Sequence, residues 1–442
     1  MTLSGTLVKS TIVAALGGLL FGFDTAVISG TTVGLQSFFS LSEGAKGFTV
    51  AIAVIGTVFG ALFASAPGDK YGRRDSLRGM AVLYLISAIG CAIAWDWYSL
   101  LFFRFVGGLG IGGSSVLGPM YIAEISPAKW RGRLVGFFQF NVVAGILVAY
   151  LSNYLIRGMH LGSQDWRWML GITGLPALFF LLMLFLIPRS PRWLVQKSRL
   201  GEARDTLVAI GEENVEAELK DIVQSVDVEH GHGKESLYQS KYRLPIFLAV
   251  SIGMFNQLSG INAILYYLNE IFAKAGFSGV SGDKQAVLIG FTNLCFTTLA
   301  MSIIDKVGRK TLLLIGSVGC AVALAGVAAI FLSNSHEDLL VWALVLFIAS
   351  FAFSQGAVIW VYLSEVFPTR VRAQGQSLGS FTHWAMNALI SFIFPVLAAK
   401  SRGLPFVVFA IMMVLQFVVV FMVFPETKGV TLEDMQKKLG IA

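Results

Sequence analysis

The feature that most constrains this chain is a series of long apolar runs. A helix needs about 20 residues to cross the roughly 30 Å hydrocarbon core of a membrane, and twelve runs of about that length follow one another here. A single run could be a buried helix of a soluble protein, but twelve in succession exclude a soluble fold. The predicted spans are Ser10–Gly30, Gly47–Pro67, Gly79–Trp95, Leu100–Ile122, Leu134–Tyr154, Trp168–Ile187, Pro245–Phe272, Ala286–Ile304, Thr311–Leu332, Leu340–Leu363, Gln376–Ala398 and Pro405–Phe424.

Charge is scarce and unevenly distributed along the chain. Only 13% of the residues are charged, against about a quarter in soluble domains. The net charge of +7 could indicate a nucleic-acid partner, but 25 of the 33 lysines and arginines lie in the two terminal tails and the even-numbered loops, and 7 lie in the odd-numbered loops. Because basic loops remain in the cytoplasm, we expect a multi-pass protein of the cytoplasmic membrane with both termini cytoplasmic, and no nucleic-acid partner.

Two short motifs occur twice at nearly the same separation. The string D-K-x-G-R at Asp69–Arg73 returns 236 residues later at Asp305–Arg309. A second motif has a Glu, a Pro three residues later and an Arg seven residues later. It occurs at Glu124–Arg131 and again 241 residues later at Glu365–Arg372. Snorkelling cations in turns would explain the charges, but not the matching Gly, Pro and Glu positions. The sequence therefore predicts duplication of a six-span unit.

The duplication predicts the domain organisation of an all-α membrane protein with twelve transmembrane helices. Parallel six-span repeats are the architecture of the major facilitator class, whose substrate site lies between the halves. In the long connection, apolar residues recur at helical spacing, so we expect short intracellular helices over Arg192–Ile210 and Glu213–Val226. The predicted parts are an N-terminal half 1–187, a helical linker 188–244, a C-terminal half 245–424 and a cytoplasmic tail 425–442.

Two charged residues stand out inside the predicted spans, Asp24 in the first and Arg104 in the fourth. Each could reach the outer headgroups, but intramembrane charges usually face a cavity and have a partner. A pair across a cavity would suit proton coupling, because burial and a nearby cation act in opposite directions on the proton affinity of a carboxylate. We interpret Glu270, near the end of the seventh span, as interfacial.

The seventh span carries a dense group of amides around Gly260, a residue that weakens a helix. Amide side chains both donate and accept hydrogen bonds, as sugar hydroxyls require, and aromatic rings complement the C–H faces of a pyranose. Singly, each residue could serve packing, but together they favour a neutral polyol over an ion. The candidates are Gln139, Asn256, Gln257, Asn262, Asn293, Trp360, His383 and Trp384 for substrate binding, and Tyr266 and Tyr267 for gating.

The chain resembles the sugar porter family of the major facilitator superfamily over essentially its whole length. Besides the repeated strings, the motifs that carry the resemblance are GGLLFGFDTAVISG at Gly17–Gly30, RFVGGLGIGG at Arg104–Gly113, RSPRWL at Arg189–Leu194, NQLSGIN at Asn256–Asn262 and PETKG at Pro425–Gly429. In this family the acidic residue that matches Asp24 marks proton symporters and works with the residue that matches Arg104.

The resemblance also implies residue roles. It assigns sugar contacts to Phe21, Gln139, Gln257, Asn262, Asn293, Gly356, Trp360 and Trp384. It assigns a cytoplasmic salt-bridge latch to Asp69, Arg73, Glu124, Arg131, Asp305, Arg309, Glu365 and Arg372. Among the departures from the family pattern, Asn256 and His383 replace the usual amides of the pocket, and Arg189 stands where members have Glu in the latch.

We therefore expect proton-coupled symport of a monosaccharide, a hexose or xylose, by alternating access in a monomer. A facilitative uniporter that retains Asp24 and a sugar sensor that does not transport remain alternatives. The sequence offers no nucleophile, phosphate loop or metal cluster, so we expect neither an enzyme nor a cofactor or metal. The glycine string Gly107–Gly113 lies within a span without a preceding strand, and close helix packing explains it better than nucleotide binding.

Overall fold

The structure, a computed structural model, describes residues 4–231, 236–368, 370–430 and 432–441. Every regular element within these ranges is a helix, which confirms the predicted all-α fold with twelve spans. The segments long and apolar enough to cross a membrane, numbered here as spans 1 to 12, are Gly5–Gly30, Glu43–Phe63, Arg73–Ala92, Trp97–Ile125, Lys129–Gly158, Gly162–Met183, Ser240–Tyr266, Gly279–Val307, Arg309–Ser333, Glu337–Glu365, Arg372–Lys400 and Leu404–Val423.

Span 7 differs from the continuous helix that the hydropathy pattern predicts. It consists of the helices Arg243–Leu258 and Ile261–Tyr266, and a third helix, Leu268–Lys274, follows directly. The first break lies at Gly260, whose φ of 81° is in a region that glycine enters without steric cost. A β-carbon there would lie 2.2 Å from Cδ2 of Phe409, so close packing by span 12 also requires glycine.

The long connection contains the expected short helices, with one additional break. The predicted helix over Arg192–Ile210 is two helices, Pro191–Gln196 and Leu200–Ile210. They are separate because the chain turns at Ser198, which has a φ of 59°. The third helix, Val215–Gly231, follows. The first two helices bury Trp193, Leu194 and Ala203 in a small apolar cluster together with Val226.

The first compact unit comprises Met1–Asp24, Ile55–Ala149 and Arg167–Gly233. Within it, glycines let backbones approach to a distance that any side chain would prevent. A β-carbon at Gly112 of span 4 would lie 2.1 Å from the carbonyl oxygen of Thr57 in span 2. The glycine string of span 4 therefore serves helix packing, as predicted.

The second compact unit comprises Thr25–Val54, Tyr150–Trp166 and Lys234–Ala442. Its hydrophobic core includes fully buried aromatic and aliphatic side chains from spans 7, 9 and 10, among them Leu248, Leu312 and Tyr362. The domain boundaries inferred from the repeats stay a prediction.

The repeated D-K-x-G-R loops have the same backbone conformation. Gly72 has φ 92° and ψ 155°, and Gly308 has φ 103° and ψ 155°. Each glycine ends one helix and caps the next. Residues with a side chain avoid this region of backbone space, at a cost of about 1–3 kcal/mol. The glycine of the motif is therefore required by the turn, and both copies of the motif form the same turn.

We expect Gly72→Ala to lower the free energy of unfolding by about 1–3 kcal/mol, because alanine must adopt the positive φ. Its β-carbon would also lie 3.0 Å from Cδ2 of Trp193. The melting temperature of the detergent-purified protein measures this loss. Gly79→Ala is the control, since Gly79 is helical and its β-carbon would meet nothing within 4 Å. Equal melting temperatures for the two variants would contradict the requirement.

Candidate functional site

Asp24 of span 1 and Arg104 of span 4 face one internal cavity in the first unit, lined also by Tyr84, Ser87 and Thr173. Arg104 is 4% exposed and its charge attracts the Asp24 carboxylate. The guanidinium is thus enclosed by protein rather than extended to the surface. The cavity leaves about 10 Å³ for the centre of a water molecule, room for about one water. This space can serve a proton but is too small for a sugar.

The amides of span 7 form a connected chain of hydrogen bonds in the second unit. Gln257 Nε2 donates to Asn256 Oδ1 at 3.1 Å, and Asn262 Nδ2 donates to Gln257 Oε1 at 3.1 Å. Gln257 and Asn262 flank the break at Gly260, so their side chains meet across it. Asn256 Nδ2 continues the chain to a backbone carbonyl of span 10 at 3.4 Å.

His383 of span 11 links this chain to two indoles. Its Nε2 lies 3.3 Å from Nε2 of Gln257, and its ring centroid lies 5.2 Å from that of Trp360 and 4.9 Å from that of Trp384. His383 and Trp384 are buried, whereas Trp360 is 38% exposed. We call the whole group the amide–indole cluster, and its members are Asn256, Gln257, Asn262, Trp360, His383 and Trp384.

Four other predicted substrate residues lie outside these contacts. Asn293 is buried on span 8 and accepts a hydrogen bond from Thr297 Oγ1 at 3.4 Å. Gly356 follows the break in span 10 at which the helix Gln355–Glu365 begins. Phe21 and Gln139 belong to the first unit, where Phe21 packs against the hydrophobic core. Their assignment to a substrate stays a prediction.

The two candidate gating tyrosines are both attached to span 11. The hydroxyl of Tyr266 accepts a hydrogen bond from Asn387 Nδ2 at 3.2 Å. The hydroxyl of Tyr267 donates to the carbonyl oxygen of Ser391 at 2.9 Å, and its ring stacks on Phe394 with centroids 5.1 Å apart. Any movement of Tyr266 and Tyr267 relative to span 11 must therefore break these hydrogen bonds.

The predicted latch has the same arrangement in each unit. In the first, the buried Arg73 contacts Glu124 at 2.9 Å and Asp69 at 3.0 Å. In the second, Arg309 contacts Glu365 and Asp305, both at 2.9 Å. Each arginine also donates to a backbone carbonyl five residues earlier. These four ion pairs lie at the even-loop ends of the spans.

The second arginine of each repeat contacts the backbone at the end of a span. Arg131 donates to the carbonyl oxygens of Ala123 and Ser126 at 3.1 and 3.3 Å. Arg372 donates to the carbonyl oxygen of Phe367 at 3.3 Å. Both arginines thus bind the carbonyls that a helix end leaves without intrahelical partners.

Sequence reasoning missed the role of Glu426, although it singled out the PETKG motif that contains it. The Glu426 carboxylate accepts backbone hydrogen bonds from Arg309, Lys310, Thr427 and Lys428. Burial alone would raise the pKa of Glu426, but these four N–H groups lower it below its usual value. Thr427 then donates to Glu365 at 2.6 Å, so the tail motif is joined to the ion pairs of the predicted latch.

Sequence reasoning also missed a charged network in the second unit, which we call the odd-loop network. Lys46 is 2% exposed and contacts Glu43 at 2.8 Å and Glu270 at 2.9 Å. Arg157 pairs with the fully buried Asp283. The Lys46–Glu270 pair joins span 2 to the helix after span 7, and the Arg157–Asp283 pair joins span 5 to span 8.

Neutral groups extend this network to span 1. Asn269 donates to Asp283, Ser29 donates to Asn269 Oδ1 at 3.1 Å, and Arg157 donates to the carbonyl oxygen of Gly30 at 2.7 Å. Hydropathy placed Arg157 and Asp283 in odd-numbered loops, but both lie within helices. No local pattern could have shown that they are partners.

The lowered pKa of Glu426 predicts that the stability of the protein depends on pH. Its pKa is lower in the folded protein than its ordinary value of about 4.5, so its contribution to stability is complete above that pH and is lost as the pH falls through the folded pKa. We expect Glu426→Gln to melt at a lower temperature than wild type at pH 7, and the difference to shrink toward pH 4. The exposed Glu213→Gln control should follow wild type. A difference that stays constant with pH would contradict the prediction.

Comparison with known proteins shows which family the chain belongs to. The model of the family described as "Sugar (and other) transporter" matches residues 10–439. The D-xylose-proton symporter of Escherichia coli K12 is 35% identical, over 96% of this chain and 94% of the relative. The arabinose-proton symporter of Bacillus subtilis is 35% identical over 98% and 95%. The glucose transport protein of Synechocystis is 35% identical over 96% and 95%.

Solved structures confirm the fold at the level of the superfamily. The inward-open conformation of the xylose transporter XylE from E. coli matches with a TM-score of 0.87 and 35% identity, over 98% of this chain and 99% of that one. The structure of XylE, a major facilitator proton:xylose symporter, bound to 6-bromo-6-deoxy-D-glucose matches with a TM-score of 0.79 and 34% identity, over 98% and 99%. The chain thus belongs to the sugar transporter family, within the major facilitator superfamily, and it is a membrane transporter rather than an enzyme.

Proposed function

We propose that this protein is a proton-coupled symporter that carries a monosaccharide into the cell by alternating access. The observation that carries the proposal is the enclosure of Asp24 and Arg104 at one cavity inside the helical bundle. The relatives named for proton symport of xylose and of arabinose support the same reaction. Because the relatives differ in their sugars, the substrate is a hexose or xylose without a finer assignment.

Asp24 is the proton carrier in this proposal. When Asp24 is ionised, its attraction to Arg104 holds spans 1 and 4 together. Protonation removes that attraction, and Arg104 then needs another partner, because an unpaired charge within a bundle is costly. The cavity beside Asp24 has room for about one water that can exchange a proton with the carboxylate, and it is too small for the sugar. Proton binding and a shift of span 1 against span 4 are therefore linked.

The amide–indole cluster binds the sugar in this proposal. Gln257 is held by Asn256, Asn262 and His383, so its amide is oriented before a ligand arrives. The exposed ring of Trp360 offers an apolar face for the C–H groups of a pyranose. A sugar hydroxyl can replace one of the amide contacts, which avoids leaving a buried polar group without a hydrogen bond.

The charged networks serve as the two gates. The odd-loop network binds spans 1, 2 and 5 to span 8 and to the helix after span 7, and it must break when that side of the protein opens. Breaking it exposes Lys46, Arg157 and Asp283 to water, which offsets much of the lost attraction. The latch around Arg73 and Arg309 must rearrange when the even-loop side opens. In this proposal the two sets of ion pairs, both formed in this structure, break in turn as the protein alternates.

The orientation, location and assembly of the protein are part of the proposal. The excess of basic residues in the even-numbered loops supports cytoplasmic termini and a cytoplasmic even-loop side. We further propose the plasma membrane of the cell as its location and a monomer as the functional unit.

Coupling is tested with purified protein in liposomes. For one proton per sugar, an inward gradient of one pH unit can drive about tenfold accumulation, because a tenfold ratio corresponds to about 1.4 kcal/mol. We expect wild type to accumulate labelled sugar under this gradient. We expect Asp24→Asn to bring the sugar only to equal concentrations on both sides, while it retains exchange of labelled for unlabelled sugar.

The control is Glu213→Gln, which removes one exposed carboxylate from the loop between two linker helices and should accumulate sugar as wild type does. Equal accumulation by Asp24→Asn and wild type would exclude Asp24 as the proton carrier. Absence of accumulation by wild type, with exchange intact, would identify a uniporter.

His383 is expected to orient Gln257 for the sugar. Loss of one hydrogen bond costs about 1 kcal/mol, so His383→Ala should weaken sugar binding roughly five- to tenfold, and His383→Gln should recover most of the loss. Quenching of tryptophan fluorescence or binding of labelled sugar measures the affinity. Phe381→Ala, on the exposed face of the same helix, is the control. Unchanged affinity in His383→Ala would remove this residue from the site.

A further inference from the structure

Three arginines share one carboxylate at the even-loop ends of spans 3 and 6. Asp75 contacts Arg74 at 3.1 Å, Arg78 at 2.6 Å and Arg189 at 3.0 Å. Arg189 is the residue that departs from the family pattern, and it brings a third positive charge to this carboxylate. We call Arg74, Arg78 and Arg189 the arginine cluster.

The arginine cluster carries more positive charge than its one ion-paired carboxylate compensates. Within the described ranges, Asp75 is the only carboxylate in an ion pair with any of the three, which leaves a net charge of +2. The Arg74 and Arg78 side chains are only 16% and 21% exposed, and like charges four residues apart on a helix repel. Partly buried positive charge of this kind favours a bound anion.

Some of the remaining N–H donors of the cluster bond to backbone carbonyls, and at least one has no hydrogen-bond partner. Arg74 donates to the carbonyl oxygen of Ile187 and Arg78 to that of Leu184, both at 3.1 Å. The Nε atom of Arg78 is buried without a hydrogen-bond partner. Both nitrogens of Arg189 that contact Asp75 reach the same carboxylate oxygen. The cluster therefore has more N–H donors than Asp75 can satisfy.

A pocket with about 290 Å³ of space adjoins the cluster. Arg74 and Arg189 line it together with Thr206, whose hydroxyl can donate to an anion. Glu202 and Asp205 are also in the wall, but Glu202 is engaged by Arg199 through two short contacts. The helix of span 3 begins at Arg73, and its N-terminus adds a partial positive charge.

We propose that the arginine cluster binds a phosphate group, supplied by the headgroup of an anionic lipid or by free inorganic phosphate. Arginine forks suit the oxygens of a phosphate, and basic pockets at the ends of spans bind anionic headgroups. The ligand would join Arg189, at the start of the linker helices, to Arg74 of span 3. Phosphate binding therefore stabilises the attachment of the linker to the bundle, independently of the sugar and of the proton.

The test uses the full-length protein in detergent and measures the rise in melting temperature with ligand concentration. One series adds inorganic phosphate against sodium chloride of equal ionic strength. A second adds short-chain phosphatidylglycerol against phosphatidylcholine with the same chains. Stabilisation by phosphatidylglycerol alone identifies a lipid site, and stabilisation by inorganic phosphate, alone or with the lipid, shows that the phosphate group itself suffices.

Arg189→Gln and Arg74→Gln should each weaken the apparent affinity about tenfold, as expected for loss of a charge-assisted hydrogen bond. Arg189→Lys should weaken it less, since the charge remains. The control is Arg204→Gln, which removes an exposed arginine paired with Glu216 and should bind as wild type does. Each shift is taken from the ligand-free melting temperature of the same variant, and native mass spectrometry counts bound phosphatidylglycerol directly.

Two results would overturn the proposal. One is the absence of stabilisation of wild type by either ligand over its matched reference. The other is equal stabilisation of wild type, Arg189→Gln and Arg74→Gln, which would show that phosphate or lipid acts elsewhere on the protein. If Arg74→Gln proves too unstable to purify, Arg189→Gln decides alone, because Arg189 is the more exposed of the two arginines.

Discussion

The cost of enclosing charge within a helical bundle governs where polar residues lie in this protein. A charge away from water needs a partner, since removal of one partner from a buried pair costs about 3–5 kcal/mol. Arg104 accordingly lies near Asp24, and Arg157 lies against Asp283. Such pairs hold spans together while both charges are present. In the proposed mechanism they become switches when a proton or water replaces one partner.

The geometry of the backbone also determines which polar side chains contact one another. At Gly260 a positive φ interrupts span 7 between Gln257 and Asn262, so that two amides of one helix contact each other across the break. At Gly72 and Gly308 a glycine-only conformation ends one helix and starts the next within a single residue. The arginine that follows each glycine is thereby directed back to a glutamate of the same unit.

Several features of the fold and of the candidate site could be predicted from the sequence. Hydropathy identifies the spans because each span must be apolar along its own length, whatever its neighbours are. The proximity of Asp24 and Arg104 was predictable because few charged residues lie within the predicted spans, and a charge within a span usually has a partner. Helix breaks were less predictable: Gly260 indicated one, but the turn at Ser198 had no signal in the apolar spacing. The amide–indole cluster was predictable in composition but not in its contacts, such as that of His383 with Gln257.

The sequence by itself determined the number of spans, the duplication and the chemical character of the interior, because these properties reside in local hydropathy and in motifs that can be compared directly. Only the tertiary structure decided that Lys46 pairs with Glu270, 224 residues away, and Arg157 with Asp283, 126 residues away. It also decided that Arg189 joins Asp75 across 114 residues. Such partners are chosen by the packing of helices against one another, and one lysine or arginine near the end of a span looks like any other until that packing is known.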